Sequence, residues 1–343
     1  MKIEHTVLDL QTTHPFNIAR AAAPPVRRSV WLRLTDDDGN EGWGEAAPNA
    51  YYGESVETVI ALLPAYERAL QQADADVLEL DTLERACERA TGGNPAARAG
   101  ISAALHDLAG KRIGIPVWSM WGLSADAVPR SSFTIGIDEP DVMRRKLEEA
   151  ASYPILKLKV GTPDDRQMLE MVRRAAPDCA IRIDANTGWT LEQALALLPL
   201  LEELRIELIE QPFDAADIES FRTLRERSPI PIIADESCRT VADIPHLVGA
   251  VDGINIKLEK CGSLREAVRM VQVARAHQLQ VMIGCMLSTT LAVAATMQLA
   301  PLVDYVDLDA ARLLAADPFV GPAMESDGTL RLSADPGLGV RRG

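Results

Sequence analysis

The chain has 343 residues, and at roughly 100–200 residues per domain this length predicts two domains or one large barrel with an appendage. A composition of 47% hydrophobic and 25% charged residues excludes disordered and fibrous proteins. The 35 Lys and Arg residues against 50 Asp and Glu residues give a net charge of −15, so the surface should repel nucleic acid and anionic lipid.

The first 115 residues predict an α+β domain. A β-hairpin is predicted at 26–34 and 41–46, joined by the polar turn DDDGN. Helical stretches follow at about 55–72, 81–90 and 95–110. The first domain should end near residue 115.

From about residue 129, eight short β-prone runs alternate with helix-like stretches. The runs occupy residues 131–136, 155–160, 180–184, 206–210, 231–235, 253–257, 280–284 and 304–308. Nearly apolar strands that alternate with helices are typical of a parallel sheet buried on both faces, and eight units favour a closed barrel. A doubly wound open sheet is the alternative, but no G-x-G-x-x-G motif is present.

No full helix fits after the eighth strand, and the segments GTLRLS and PGLGV suggest that the tail returns to the first domain. The predicted fold is therefore α/β, a modified (β/α)7β TIM-type barrel with an N-terminal α+β domain. The predicted boundaries are 1–115 for the α+β domain, 116–308 for the barrel and 309–343 for the returning C-terminal segment.

Three acidic residues end consecutive predicted strands: Asp184, Glu210 and Asp235. Because strand ends meet at the C-terminal face of a barrel, their carboxylates can converge on one point. Carboxylates so close together need a cation, and hard oxygen ligands favour Mg²⁺. A structural alternative is that Asp184 and Asp235 only cap the following helices.

Three lysines are predicted inside the barrel, where lysine is normally excluded. Lys157 and Lys159 are two residues apart on one strand and point to the same side, and Lys257 approaches from across the mouth. A divalent cation and a second lysine nearby disfavour the ammonium form and suit a lysine to general base catalysis. Two such bases on opposite faces of one carbon suggest proton abstraction α to a carboxylate.

These motifs resemble the enolase superfamily, in its muconate-lactonizing-enzyme subgroup, over the whole chain. The resemblance rests on K-x-K (Lys157, Lys159), the acids in RIDAN (Asp184), IEQP (Glu210) and ADES (Asp235), and Lys257 in NIKLEKCG. It implies that Lys159 and Lys257 are the acid/base pair and that Lys157 stabilises the enolate. The mandelate-racemase type uses a His base, and none of the 5 His residues falls at a predicted strand end.

Within this subgroup, the eighth strand resembles that of the dipeptide epimerases. Asp307 and Asp309 form a D-x-D motif whose carboxylates would suit a substrate ammonium group. Two further segments also resemble the dipeptide epimerases, GCMLST (284–289) and YYGES (51–55). The second lies in the loop where the capping domain of that family covers the site. The structural alternative is that Asp307 and Asp309 are only exposed residues of a turn at the strand end and bind no substrate.

Two further residues are candidates for reading the substrate side chain. Arg20 aligns with an arginine that, in the L-Ala-D/L-Glu epimerases, pairs with the glutamate side chain, and such pairing is physically sensible. Thr134 ends the first barrel strand and could add a hydroxyl to the same pocket. An exposed arginine and a simple β-forming threonine are the alternatives.

The resulting hypothesis is a Mg²⁺-dependent isomerase that epimerises a dipeptide at its C-terminal residue, with L-Ala-D/L-Glu from peptidoglycan recycling as the expected substrate. The alternatives are an o-succinylbenzoate synthase, an N-acylamino-acid racemase, a dipeptide epimerase of different side-chain specificity, or a barrel without turnover. Glu4 and Asp9 would interrupt the apolar core of a signal peptide. We expect a cytoplasmic protein without nucleic-acid or membrane partners, able to form a homo-oligomer.

Overall fold

The computed structural model describes residues 1–20 and 26–343. Its N-terminal part contains a three-stranded antiparallel sheet with β2 in the centre, formed by β1 (Lys2–Leu10), β2 (Arg27–Thr35) and β3 (Glu41–Ala46). The predicted hairpin is β2–β3. Strand β1 lies outside the predicted elements and pairs with β2 along its whole length.

Helices α1 (Val56–Gln72) and α3 (Pro95–Ile113) pack against this sheet. Helix α2 (Leu80–Ala90) packs against α1 and α3, and the short α4 (Val117–Met120) packs against α3. A capping box between Ser55 and Thr58 starts α1. Helix α3 lies directly against β3, because a Cβ atom at Gly44 would come within 1.9 Å of the carbonyl oxygen of Gly100. The glycines of EGWGEA and the small residues of α3 thus allow close helix–sheet contact.

Eight parallel strands form the second sheet, in sequential order. They are β4 (Phe133–Ile135), β5 (Ile155–Lys159), β6 (Ala180–Asp184), β7 (Ile206–Glu210), β8 (Ile232–Ala234), β9 (Gly253–Ile256), β10 (Gln280–Gly284) and β11 (Tyr305–Asp307). The two end strands meet where the backbone N–H of Ser132 donates to the carbonyl oxygen of Val306 at 3.1 Å. The predicted barrel with an N-terminal α+β domain is confirmed.

The helices around the barrel are α5 (Pro140–Glu149), α6 (Asp165–Ala175), α7 (Leu191–Glu203), α8 (Ile218–Arg227), α9 (Ile244–Leu247), α10 (Leu258–Cys261), α11 (Leu264–Ala276) and α12 (Thr290–Met297). In the described part of the chain, no helix combines the length and apolarity needed to cross a membrane.

The barrel interior changes from apolar to polar along the strands. Leu208, Ile233 and Met282 form a small buried cluster inside it. Two residues further along β7 and β8, Glu210 and Asp235 take the corresponding positions. Since side chains two residues apart on a strand share a face, this spacing directs the strand-end polar groups toward the C-terminal mouth.

The C-terminal segment carries β12 (Phe319–Val320), β13 (Ala323–Met324), β14 (Leu330–Arg331) and β15 (Arg341–Arg342). It contacts the N-terminal sheet, with the rings of Phe319 and Trp31 5.3 Å apart. It also contacts α3, since the backbone N–H of Leu338 donates to Asp107 Oδ1 at 2.8 Å. The boundaries at residues 115 and 308 stay predictions.

A buried carboxylate of the N-terminal sheet reaches across to a barrel helix. Glu45, on β3, accepts hydrogen bonds at 3.2 Å from the backbone N–H of Thr289 and at 3.3 Å from that of Ala292, and a third from the Thr289 hydroxyl. Thr289 directly precedes α12 and Ala292 lies in its first turn, where backbone N–H groups lack partners within the helix. The N-terminal domain therefore caps a helix of the barrel.

Candidate active site

The three predicted acids converge at the barrel mouth. Asp184 ends β6, Glu210 ends β7 beside it in register, and Asp235 directly follows β8. One carboxylate oxygen of each lies within 4.8 Å of the others, and all three side chains are buried. This all-oxygen donor set, without His or Cys, fits Mg²⁺.

Lysines compensate part of this buried negative charge. Burial would raise the pKa of Asp184, but the attraction of Lys159 and Lys157 outweighs it and lowers the pKa to about 2. For Glu210, burial and the repulsion of Asp184 prevail and raise the pKa to about 7. Asn255 Nδ2 donates to Glu210 Oε1 at 2.8 Å and orients this carboxyl group. A divalent cation would stabilise Glu210 in its ionised form.

Lys159 and Lys257 face the cavity from opposite sides. Lys159 ends β5 and Lys257 directly follows β9, and four strand steps separate β5 from β9 in an eight-stranded barrel. Their Nζ atoms lie 2.6 Å from Asp184 Oδ2 and 2.8 Å from Asp235 Oδ2, respectively. Both amines therefore border the acidic cluster and approach it from opposite sides of the barrel.

The expected depression of the lysine pKa is not produced by the protein groups themselves. Burial disfavours the ammonium of Lys257, but the attraction of Asp235 is stronger and raises its pKa well above the ordinary value. The nearby acids thus favour a protonated Lys257. A cation and a second lysine predict a lowered pKa, and the Asp235 carboxylate 2.8 Å from Lys257 Nζ accounts for the difference.

Lys157 lies below the other two lysines and is fully buried. Its Nζ atom lies 2.6 Å from Asp307 Oδ2, 2.7 Å from Glu210 Oε2 and 3.2 Å from Asp184 Oδ2. Burial opposes its charge, yet the attraction of Asp307 and the other acids raises its pKa well above the ordinary value. Lys157 is thus a fixed positive charge that joins the acidic triad to the D-x-D motif.

Both aspartates of the D-x-D motif are buried and line the cavity. Asp307 is satisfied within the protein, because Lys157 contacts one oxygen and Ser132 Oγ donates to the other at 2.7 Å. Asp309 accepts from the backbone N–H of Thr134 at 2.5 Å but forms no ion pair with any described residue. Burial and the repulsion of Asp307 raise the pKa of Asp309 to about 7. Asp309 is therefore the carboxylate that a cationic ligand would stabilise.

Thr134 also lines the cavity, and the structure places it beside the D-x-D motif. Its hydroxyl lies 3.3 Å from Asp307 Oδ1, while its N–H binds Asp309. Arg20 lines the cavity too and hydrogen-bonds to Glu236. The structure thus brings together every site residue predicted from the sequence.

Two family models together cover almost the whole chain. The model for the mandelate racemase / muconate lactonizing enzyme N-terminal domain matches residues 2–122, and the enolase C-terminal domain-like model matches residues 142–342. The chain belongs to this family. The predicted place in the enolase superfamily is confirmed.

Several relatives of the chain are dipeptide epimerases. The L-Ala-D/L-Glu epimerase of Bacteroides thetaiotaomicron is 37% identical, over 100% of this chain and 88% of the relative. A hydrophobic dipeptide epimerase of Roseobacter litoralis is also 37% identical, over 96% of each chain. A solved structure of a dipeptide epimerase from Enterococcus faecalis V583, complexed with Mg and L-Leu-L-Tyr, has a TM-score of 0.92 at 30% identity and covers 98% of each chain. The predicted resemblance to dipeptide epimerases is confirmed.

Several site residues of this family member lie outside the predicted set. Glu236 directly follows Asp235 in ADES, and Lys260 lies three residues after Lys257 in NIKLEKCG, so both were within the motifs but received no role. Tyr52 and Met286, in the two loop segments that resemble dipeptide epimerases, line the cavity. The available signal for Glu236 was its position directly after a predicted metal ligand, and for Lys260 its position three residues after a predicted base.

Proposed function

We propose that this protein is a Mg²⁺-dependent dipeptide epimerase that inverts the α-carbon of the C-terminal residue, with L-Ala-D/L-Glu as substrate. The observation that carries this proposal is the placement of two lysines on opposite sides of one cavity, with a three-carboxylate cluster between them and a D-x-D motif at its edge. Peptides released during peptidoglycan recycling supply this substrate, and a cytoplasmic location remains part of the prediction.

The polar groups orient a dipeptide across the cavity. The D-x-D carboxylates bind the N-terminal ammonium, with Asp309 as the main partner because Asp307 is already paired with Lys157. The substrate α-carboxylate lies toward Lys157 and the acidic triad. Asp184, Glu210 and Asp235 would hold Mg²⁺, which would supply Lewis-acid stabilisation of the negative charge on this carboxylate.

With the dipeptide in this orientation, its α-carbon lies between Lys159 and Lys257. One lysine, as the neutral amine, removes the α-proton and becomes an ammonium, while the electron pair of the broken C–H bond moves into the carboxylate to form an enediolate. The opposite lysine, as the ammonium, then returns a proton to the other face and becomes neutral. Lys157 stays protonated throughout and stabilises the enediolate by charge.

The other reactions of the family leave one feature of the site without a function. An o-succinylbenzoate synthase acts on a substrate without an ammonium group, and an N-acylamino-acid racemase acts on one whose amine is blocked. Neither substrate offers a cation to Asp309, a buried carboxylate without an ionic partner among the described residues. A barrel without turnover also fails to explain why opposed lysines border the acidic cluster.

Proton NMR of a dipeptide panel in deuterated buffer with Mg²⁺ tests the proposal. We expect loss of the α-proton signal of the C-terminal residue of L-Ala-L-Glu, appearance of the L-Ala-D-Glu diastereomer, and loss of both effects with a chelator. Exchange confined to N-acyl amino acids would reject the epimerase assignment and favour the racemase alternative.

A further inference from the structure

Arg20 presents two different edges at the cavity. Its Nη1 atom donates to the backbone oxygen of Asn186 at 3.0 Å and to Glu236 Oε1. Its guanidinium carbon lies 4.1 Å from the centre of the Tyr51 ring. Its Nε and Nη2 atoms have no hydrogen-bond partner within residues 1–20 and 26–343. One edge is therefore anchored to the protein, and no described residue hydrogen-bonds to the other.

The anchoring carboxylate is deeply buried, with a side chain that is 1% exposed against 24% for Arg20. Glu236 Oε1 also lies 3.3 Å from Asn186 Nδ2. If Arg20 turned away to bind a substrate, Glu236 would be left as a buried carboxylate without its cation, which is energetically costly. The pair should therefore persist when the substrate binds.

We infer that Glu236 sets the specificity of the second-residue subsite, which recognises an acceptor oxygen rather than a negative charge. This inference rests on the proposed dipeptide epimerase function and deepens it. Glu236 offsets the charge of Arg20 and fixes the Nε–Nη2 edge, a pair of parallel donors that fits a planar carboxylate or the oxygen of a carboxamide.

The substrate class that follows is an L-Ala dipeptide whose second side chain ends in a planar acceptor group, with Gln accepted beside Glu. Glutamate places two oxygens on this edge, whereas glutamine places one. Because Glu236 already offsets the guanidinium charge, the Glu and Gln side chains should differ in interaction free energy by about one neutral hydrogen bond. The preference for Glu over Gln should therefore be about tenfold or less in kcat/KM.

The test compares kcat/KM for L-Ala-L-Glu, L-Ala-L-Gln and L-Ala-L-Met in the native enzyme and in Glu236→Gln. The ratio of two substrates in one variant cancels any general effect on the chemistry. We expect Glu236→Gln, which leaves the Arg20 charge uncompensated, to raise the Glu:Gln ratio by a further factor of about ten. A native preference for Glu above a hundredfold, or an unchanged ratio in the variant, would overturn the inference.

A second variant keeps the inference testable if Glu236→Gln does not fold. Arg20→Met removes the donor edge and should reduce activity on the Glu and Gln dipeptides together, to the level of the Met dipeptide. A loss confined to the Glu dipeptide would show charge recognition and refute the inference. Arg239→Met is the matched control, since Arg239 stacks on the neighbouring Tyr52 at 5.0 Å outside the cavity lining, and its ratios should be unchanged.

The two proposals fail in different ways. Absence of α-proton exchange in every dipeptide of the panel would reject the proposed function itself. If L-Ala-L-Met exchanged its α-proton as fast as L-Ala-L-Glu and L-Ala-L-Gln, the epimerase function would stand. Only the role of Arg20 and Glu236 would be rejected.

Discussion

Lys260 donates to Asp235 at two positions, 2.6 Å from the side-chain Oδ1 atom and 2.5 Å from the backbone oxygen. Its Nζ atom also contacts the backbone oxygens of Cys238 and Asn255, at 2.9 and 2.8 Å. This completely buried ammonium therefore fixes one side of Asp235, while the other carboxylate oxygen faces Lys257.

Replacement of Lys260 by Met should destabilise the fold, because it leaves a buried carboxylate and three backbone oxygens without their shared donor. We expect a loss of about 3–5 kcal/mol in the free energy of unfolding, measured by urea denaturation. Lys2→Met is the control, since Lys2 pairs with Glu4 at the surface, with both side chains at least 40% exposed, and its removal should cost less. Equal losses in both variants would contradict the structural role of Lys260.

Single removal of either opposed lysine should separate proton exchange from inversion. Lys257→Ala should still exchange the α-proton of one diastereomer through Lys159, and Lys159→Ala that of the other through Lys257. Epimerisation should fall by about a thousandfold or more in both, because general acid–base catalysis typically contributes a factor of 10²–10⁴. NMR in deuterated buffer measures both processes, and undiminished inversion in either variant would exclude that lysine as a base.

The two aspartates of the D-x-D motif should respond differently to amide substitution. Asp309→Asn removes the charge that lacks an ionic partner among the described residues, so activity should fall much more on free dipeptides than on N-blocked analogues. Asp307→Asn also releases Lys157 and should reduce activity on both. Kinetics with the two substrate types distinguish these outcomes, and an equal loss on both for Asp309→Asn would contradict the ammonium role.

Mg²⁺ binding can be measured without turnover. Isothermal titration of the chelator-treated protein should show one site per chain, and Asp184→Asn should weaken it at least about tenfold, because a hard divalent cation loses a charged oxygen ligand. Asp165→Asn, at a buried aspartate that binds the Gly161–Thr162 loop and Trp189, is a suitable control. Unchanged affinity in Asp184→Asn would place the ion elsewhere.

Glu84, on α2, should make the fold less stable at alkaline pH. Burial raises its pKa to about 7 despite Ser102 and Arg265. The folded state thus keeps a proton that the unfolded chain releases near pH 4.5. The stability that protonated Glu84 gives the fold is therefore complete below pH 4.5 and is lost as the pH rises through 7.

Glu84→Gln should remove this dependence, stabilising the protein by about 3 kcal/mol at pH 8 and by less than about 1 kcal/mol at pH 5. Thermal unfolding at both pH values measures the difference. Glu88→Gln, at an exposed position of the same helix, is the control and should leave the stability unchanged at both pH values. A gain that is the same at pH 5 and pH 8 would point to packing rather than titration.

The barrel and its mouth could be predicted because their signals are local. The strands are short, mostly apolar runs, several of which end in a charged residue, as at Asp184 and Glu210, and the parallel topology brings these ends together. The pKa of Lys257 could not be predicted, since it depends on the orientation of the Asp235 carboxylate. The pairing of Arg20 with Glu236, 216 residues apart in sequence, depends on tertiary structure in the same way.

The contact from Glu45 to the start of α12 has a consequence for engineering. The segment that this contact fixes leads back through Met286 and Leu287, which form one wall of the cavity. A chimera that joins this barrel to the N-terminal half of another homologue would need an acid at the equivalent of Glu45. Without such an acid, the chimera would lose order at Met286 and Leu287, although both residues belong to the unchanged barrel half.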